Sequence, residues 1–409
     1  MAHGQYVRSC STPSPLAPVP RGGSFEVVPS MCVSERYDSN VFYAPPRPGL
    51  QRDDFVTHVE PMLRVTSQGD YASGFLNMGG FSETFVKNPN LNYLGTRDTL
   101  FLDLNNSIQR LLPNASLSVN DTFSYTPLPP GFVNPAAGTS PSDLSSNQDV
   151  FAQGLLFRRT NNLRNNAFVS TSYATTALTS LQASYNYAIL RFQRGSPATP
   201  GGLNLFNATT QTGTVGEVAK LSELDSVNVR YSHMQTESTL GSISSVFKID
   251  TATTGWSRRL TPNLSAQLGG GGILISSGRT TYAANAALIM NFSNNSATIS
   301  YARSAFPSYV AVVPIVVVGD VYSLSAVQKL DRQWQLAETV NYAHRSGGSG
   351  LSSLTFNQYR AGVDLYYWMT SIWSTALSYD YQKFSSEHGS VTTDTDRQAI
   401  TLSVRANWG

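Results

Sequence analysis

Residues 359–382 read YRAGVDLYYWMTSIWSTALSYDYQ, and this stretch decides the fold class. From Tyr359 to Tyr367 every second residue is aliphatic or aromatic, while the residues between them include Arg360 and Asp364. The same alternation resumes at Trp373, after a short break. A period of two residues is typical of β-strands, and about ten residues is the length that a tilted strand needs to cross a bilayer. The stretch therefore predicts two membrane-spanning strands joined by a tight turn.

The composition narrows the class of protein further. Charged residues make up 13% of the 409 residues, against about 25% in an average soluble domain. A net charge of +2 argues against a nucleic-acid-binding protein, and plentiful aromatic and β-branched residues argue against disorder. The longest apolar run, at residues 310–318, is too short for a transmembrane helix. Two cysteines, Cys10 and Cys32, are too few for a disulfide scaffold or a cysteine zinc site.

Alternating runs of similar length continue backward through the chain to residue 24. Short turns and longer connections follow one another, as in bacterial barrels with short periplasmic turns and long outer loops. The runs number about 18, with 16 inside the counting error, so we expect an all-β fold, a transmembrane antiparallel β-barrel over residues 24–409. A soluble β-sandwich would also alternate, but its strands would be shorter. Residues 1–23, rich in Ser, Pro and Gly, are expected to form a disordered leader.

These features place the chain in the outer membrane of a Gram-negative bacterium, although residues 1–23 show no signal peptide. Trp408 stands next to the last residue of the terminal strand. A terminal aromatic residue resembles the signal by which outer-membrane barrels engage their assembly machinery. We therefore expect outer-membrane lipid and the barrel-assembly machinery as partners, and no nucleic acid.

A resemblance to a known family begins with SERYDSNVF at residues 34–42 and VEP at residues 59–61. It continues in SVND at residues 118–121 and RLTPN at residues 259–263. These segments resemble a family of outer-membrane β-barrel porins that are often found with exopolysaccharide or exosortase systems. The resemblance covers most of the chain from about residue 26, as a diffuse pattern. It implies an outer-membrane channel or export component and brings no catalytic residue.

Charged residues on the polar stripes are candidates for the wall of a water-filled lumen. Their signs are mixed with a surplus of arginine, which predicts a mild anion preference. The alternative is that they pair across the lumen and only hold the wall rigid. The candidate lumen residues are Arg64, Asp103, Arg230, Lys248, Asp250, Arg258, Arg360, Asp364, Asp380 and Arg405.

A barrel of about 18 strands is too wide for its side chains to fill, so a plug or an inward loop is needed to narrow it. The longest predicted loop, residues 126–164, carries Arg158, Arg159 and Arg164. We expect this loop to form a cationic constriction. The alternative is a loop that only shields the outer mouth.

Two acidic residues fall on the apolar stripes, where they would face lipid. Glu338 shares a face with Leu336 and Val340, and Asp121 shares a face with Val119. A β-bulge that shifts the register by one residue would remove either conflict, as would a contact between protomers. We favour the bulge.

Three functions remain open for the predicted channel. The first is a porin that passes solutes through the lumen, and the second is an outer-membrane component of exopolysaccharide export with periplasmic partners. Tyr366 and Trp256 on the lumen face, stacking on sugar rings, would favour export. The third is a structural or adhesion barrel. We predict no enzyme, no cofactor and no metal, because the five histidines lack metal-ligand spacing, and His233 near a strand end is the one hint of a lipid hydrolase. The oligomeric state stays open.

Overall fold

The structure is a computed structural model, and most of the described residues belong to β-strands. The structure describes residues 10, 25–43, 45, 51–127, 161–192, 204–240, 243–308, 310–311, 315–348, 353–388 and 391–408. Within these ranges, no helix combines the length and the apolar character that a membrane crossing requires.

Eighteen long strands form one sheet, and two short strands form another. The long strands are β1 (Phe25–Asp38), β2 (Asp54–Gln68), β3 (Ser73–Phe85), β4 (Tyr93–Asp103), β5 (Ala115–Thr126), β6 (Asn162–Ala174), β7 (Thr179–Phe192), β9 (Asn207–Lys220), β10 (Asp225–Leu240), β11 (Ile243–Thr261), β12 (Leu264–Ile275), β13 (Thr280–Asn291), β14 (Asn295–Ser308), β16 (Ile315–Lys329), β17 (Trp334–Gly347), β18 (Leu354–Trp368), β19 (Trp373–His388) and β20 (Val391–Asn407). The short strands are β8 (Asn204–Leu205) and β15 (Val310–Ala311), and one short helix, α1, spans Asn105–Gln109.

Each long strand pairs antiparallel with the next long strand in sequence, and β20 pairs with β1. The sheet therefore closes on itself, and the predicted antiparallel barrel of 18 strands is confirmed. β4 ends at Asp103, and the short helix α1 follows it before β5 begins. In the described strands the register shifts at one place, between Arg259 and Thr261.

One end of the barrel carries short turns, which the sequence builds in the same way at four places. A hydroxyl or carboxylate oxygen at the start of the turn accepts hydrogen bonds from the backbone N–H groups two and three residues later. The accepting residues are Thr176, Ser222, Asp331 and Thr370. We call this end the short-turn end and the opposite end the long-loop end.

The outer face of the barrel is apolar and bordered by aromatic rings. On β18, Val363 is 42% exposed, whereas its inward neighbour Asp364 is 3% exposed. Near the long-loop end, four tyrosine rings follow one another across β14, β16, β17 and β18 with centroids 4.9, 6.0 and 4.7 Å apart: Tyr301, Tyr322, Tyr342 and Tyr359. Near the short-turn end, the Trp334 and Tyr367 rings stack at 4.4 Å. Two aromatic rows thus enclose an apolar belt.

The tip of the β14–β16 hairpin folds into the barrel at the long-loop end. Pairing of β14 with β13 stops at Arg303, whereas β14 stays paired with β16 as far as Ser308. One face of the tip, with Val316 and Val318, packs on the inner wall residues Ile249, Ile273 and Ile275. The other face, with Phe306, Ile315 and Val317, packs on Leu354, Phe356 and Phe384. We call residues 304–308 and 315–319 the inner hairpin.

Two backbone segments also meet above the inner hairpin. β15 lies in the connection between β14 and β16, and β8 lies in the connection between β7 and β9. These two short strands pair antiparallel. Six barrel strands, β9 to β14, lie between these two connections around the wall. The described connections therefore cross the long-loop end of the barrel and narrow it.

The bulge predicted for Asp121 and Glu338 is wrong. The registers of β4, β5 and β6 and of β16, β17 and β18 run without a shift at these positions, so both side chains lie on the outer face. The Asp121 carboxylate accepts a hydrogen bond of 2.8 Å from the Asn165 amide. A contact between protomers at these positions stays a prediction.

Candidate functional site: the barrel lumen

The inner wall divides into two arcs of different chemistry. Antiparallel partners lie on the same face of a sheet, so the register assigns each residue to the inside or the outside. In the described strands, every inward carboxylate lies on β18–β20 or β1–β4, and we call this part the charged arc. The wall from β5 to β17 is lined mainly by Ser, Thr and Asn, and we call it the hydroxyl arc.

Hydroxyl pairs across neighbouring strands build the hydroxyl arc. Their oxygens lie 2.6–2.7 Å apart, so each hydroxyl is satisfied within the wall and keeps a further donor or acceptor position for water. The pairs include Ser116 with Ser172, Ser118 with Ser170, Ser226 with Ser257, and Ser300 with Ser323. This surface is hydrophilic, and the charged residues that the described strands place on it are basic, among them Arg164, Arg230 and Arg345.

Two buried ion pairs form the part of the charged arc nearest the long-loop end. The Arg36 guanidinium donates to both carboxylate oxygens of Glu83, at 3.2 and 3.3 Å. The Arg397 guanidinium donates to Asp38 at 2.6–3.0 Å and lies 5.0 Å from the ring centroid of Tyr43. Arg36 Nε is also 3.4 Å from Asp38, so the two pairs form one network.

The same network continues toward the middle of the lumen through His58. His58 Nε2 lies 3.3 Å from Glu60 Oε2, and His58 Nδ1 lies 3.6 Å from Glu83 Oε1. Arg97 Nη1 lies 3.9 Å from Glu60 Oε1. The Arg97 side chain is 35% exposed, whereas the carboxylates of Glu60 and Glu83 are 3% exposed or less. The acidic groups here are therefore enclosed, and the cation reaches the water of the lumen.

Above the barrel, the long-loop ends of β2 and β3 are tied together. The Asp54 carboxylate accepts hydrogen bonds from the backbone N–H groups of Lys87 and Asn88. Lys87 also donates to Asp53, and this hydrogen bond lowers the pKa of the Asp53 carboxyl below its ordinary value.

Seven of the ten candidate lumen residues lie on the inner face, and they differ in accessibility. Arg360 donates two hydrogen bonds to Asp380, at 2.6 and 2.8 Å, which makes the pair a wall element. Arg64 is exposed to the lumen, and its guanidinium lies 5.2 Å from the Phe75 ring centroid. The other inward candidates are Asp103, Arg230, Asp364 and Arg405.

The structure places the other three candidates, Lys248, Asp250 and Arg258, on the outer face, contrary to the sequence prediction. Asp250 pairs with His233, at 2.7 Å from its Nδ1, and accepts a hydrogen bond from Tyr231 at 2.5 Å. Arg258 lies 3.8 Å from Asp225 near the short-turn end. These charges lie beyond the two ends of the apolar belt. They therefore do not face the lipid core, and their outward orientation costs little free energy.

The other candidates are the three arginines of the predicted constriction loop and the terminal Trp408. Arg158 and Arg159 lie outside the described residues. Arg164 belongs to β6 rather than to a loop, and its Nε donates to Asn162 at 2.8 Å. The Trp408 side chain is 48% exposed, and its backbone N–H donates to the Pro29 carbonyl, which fastens the chain end to β1.

A disulfide inside the lumen was missed by the sequence analysis. Cys10, within the predicted leader, is bonded to Cys32 on the inner face of β1, and both are buried. Arg405 Nη1 donates to the Cys10 carbonyl at 3.2 Å. The signal was present in the sequence, because an exported chain with two cysteines is expected to pair them. The rest of residues 1–24 lies outside the described part of the chain.

The aromatic residues proposed for sugar stacking do not line an open lumen. Tyr366 faces inward but is 6% exposed, and Trp256 lies on the outer face, where its indole N–H donates to Asp225 at 3.1 Å. These positions give the export prediction no aromatic platform.

Comparisons with known proteins gave matches among solved structures. No protein-family model and no curated protein matches the sequence. Among solved structures, the outer membrane protein OpdK of Pseudomonas aeruginosa matches with a TM-score of 0.46 and 10% identity, over 94% of this chain and 99% of that one. OccK3 (OpdO) of the same organism matches with a TM-score of 0.44 and 12% identity, over 94% and 96%. The ferric enterobactin receptor PfeA matches with a TM-score of 0.47 and 8% identity, over 95% and 82%.

Proposed function

We propose that the chain is an outer-membrane β-barrel channel that passes small hydrophilic solutes. The observation that carries the proposal is the closed barrel of 18 strands with a polar inner wall and an apolar outer belt between two aromatic rows. From Tyr359 to Tyr367 the belt spans eight residue steps, or about 26 Å along a strand. Because barrel strands are tilted by about 35–45°, this length corresponds to a height of about 20 Å, on the same scale as the apolar band of a membrane barrel, about 25 Å tall.

The width of the barrel supports a channel rather than a filled core. Barrels of 16–18 strands leave an aqueous lumen that side chains cannot fill. The inner hairpin and the crossing of β8 with β15 narrow this lumen at the long-loop end. The hydroxyl arc then offers a wet wall along which uncharged polar groups exchange hydrogen bonds with water.

The accessible charges of the lumen favour anions. The carboxylates of Asp38, Glu60 and Glu83 are buried in ion pairs. The side chains of Arg64 and Arg97, in contrast, are accessible to the water of the lumen. A mild anion preference follows, because mobile ions respond to the charges that they approach in water.

Planar-bilayer recording tests this proposal. The purified protein, inserted from detergent, should give ohmic conductance steps, and a salt gradient should give a reversal potential on the anion side. Silence from protein shown to be folded would contradict the open channel, and a cation-side reversal potential would contradict the role of the accessible arginines.

A further inference from the structure

Four metal-ligating side chains meet at one height on the inner wall. Cys32 on β1 stands opposite Glu60 on β2, and His58 lies two residues from Glu60 on the same face. Cys10 joins them through the disulfide, and ligand atoms of Cys10, His58 and Glu60 all lie within 4.8 Å of one another. All four residues are 3% exposed or less.

This donor set has the chemistry of a zinc site. Two thiolates, one imidazole and one carboxylate are ligand types that Zn²⁺ accepts in tetrahedral geometry. In the disulfide form the sulfurs are bonded to each other and are not thiolate ligands. The availability of the site therefore depends on the redox state of the two cysteines.

We propose that reduction of Cys10–Cys32 creates a binding site for a divalent zinc-like ion, with Cys10, Cys32, His58 and Glu60 as ligands. The reductant is a dithiol: its two thiols become a disulfide, while the Cys10–Cys32 bond breaks and takes up two electrons and two protons. The metal ion then replaces the two thiol protons, which are released to water.

The surroundings of His58 and Glu60 fit a bound cation. The side chains of His58 and Glu60 are buried and 3.3 Å apart, so a metal ion would take the place of the proton between them. His58 Nδ1 is buried, has no hydrogen-bond partner among the described residues and lies 3.6 Å from Glu83. A carboxylate beside a ligating histidine orients the ring and raises its basicity.

Arginine residues balance the charge of the occupied site. Two thiolates and one carboxylate carry three negative charges, so the site with a divalent ion has a net charge of about −1. Arg97 lies 3.9 Å from Glu60, and Arg405 donates to the Cys10 carbonyl. These cations stabilise an excess negative charge that burial alone would penalise.

The test uses Co²⁺ as the probe on the full-length folded protein without a histidine tag. The protein is reduced with dithiothreitol and desalted under nitrogen. Titration with Co²⁺ should then produce the thiolate-to-cobalt charge-transfer band with a stoichiometry of one, and Zn²⁺ should remove it. The oxidised protein should show no such band.

Variants assign the ligands. Cys10→Ser and Cys32→Ser should each weaken or abolish the charge-transfer band, and His58→Asn and Glu60→Gln should weaken Co²⁺ binding about tenfold or more. His233→Asn, at a histidine on the outer face, is the matched control and should bind as the wild type does. Cys10→His cannot form the disulfide and should bind Co²⁺ without any reductant.

Three results would overturn the proposal. The first is the lack of a charge-transfer band both in reduced protein that keeps its β-sheet circular dichroism and in the folded Cys10→His variant. The second is unchanged binding after both His58→Asn and Glu60→Gln. The third is equal binding by the oxidised protein. The metal-binding experiments do not measure conductance. A negative result for the metal site would therefore not contradict the proposed channel, which planar-bilayer recording tests separately.

Discussion

The buried pair of Asp38 and Arg397 gives the sharpest prediction about what holds the wall together. The Arg397 guanidinium makes its hydrogen bonds of 2.6–3.0 Å to this one carboxylate, and the two side chains are 9% and 2% exposed. Arg36 Nε lies 3.4 Å from the same carboxylate. Asp38→Asn keeps the size of the side chain and removes its charge.

The expected loss follows from the charge balance of the network. Arg36 and Arg397 share Asp38 and Glu83 as counter-charges, so Asp38→Asn leaves one excess positive charge in a buried site. Removing one partner of a buried ion pair typically costs 3–5 kcal/mol, because the other charge stays desolvated. We expect the free energy of unfolding to fall by about 3 kcal/mol or more.

The assay is urea unfolding of the barrel in phospholipid vesicles, followed by tryptophan fluorescence. With a slope of about 3 kcal/mol per molar urea, the midpoint should fall by about 1 M. Glu35→Gln is the matched control, because Glu35 lies on the outer face of the same strand and is exposed, so its loss should stay within about 0.5 kcal/mol.

A double variant separates the ion pair from simple loss of a side chain. Asp38→Asn combined with Arg397→Gln removes both charges, and it should cost less than Asp38→Asn alone. A change of less than about 1 kcal/mol in the unfolding free energy of Asp38→Asn would mean that the pair does not hold the wall together. A double variant that is less stable than Asp38→Asn by about the cost of Arg397→Gln alone would mean that the two charges do not depend on each other.

Three further predictions concern the lumen and its packing. Arg64→Glu should move the reversal potential toward cations, whereas Lys248→Glu on the outer face should leave it unchanged; equal shifts would refute the assignment of faces. Gly271→Ala should cost about 1–3 kcal/mol in urea unfolding, because its Cβ would stand 1.9 Å from the Ala252 carbonyl oxygen, whereas Gly272→Ala meets no atom within 4 Å and should be neutral; equal costs would contradict the packing. Phe356→Ala should loosen the inner hairpin and raise single-channel conductance, and an unchanged conductance would mean that the hairpin does not narrow the pore.

The sequence by itself determined the class of fold, a strand number of about 18 with 16 left open, and the two ends of the barrel. On β18 and β19 the alternation is strict, because one face meets an apolar medium and the other meets water over the whole width of the belt. Trp334 and Tyr367 could be placed near the short-turn end for the same reason. The inward direction of Arg360, Asp364 and Asp380 follows from this alternation.

The same rule fails where strands extend beyond the belt. Near the ends of β10 and β11 both faces meet polar surroundings, so residues on either face are polar and the alternation loses its contrast. Lys248, Asp250 and Arg258 were assigned to the lumen for that reason, and only the register of β11 against β10 shows that they point outward. Asp121 and Glu338 show the converse, since the register keeps an acidic residue on the apolar face.

Only the tertiary structure decided which side chains pair on the inner wall and which segments occupy the lumen. Arg36 and Glu83 are 47 residues apart in sequence, and Asp38 and Arg397 are 359 residues apart, so neither pair leaves a local pattern. The disulfide of Cys10 and the inward fold of the inner hairpin likewise depend on closure of the barrel, which brings β20 beside β1. Local periodicity reports the medium on each side of a strand, whereas contacts across the lumen depend on where eighteen strands place their side chains in space.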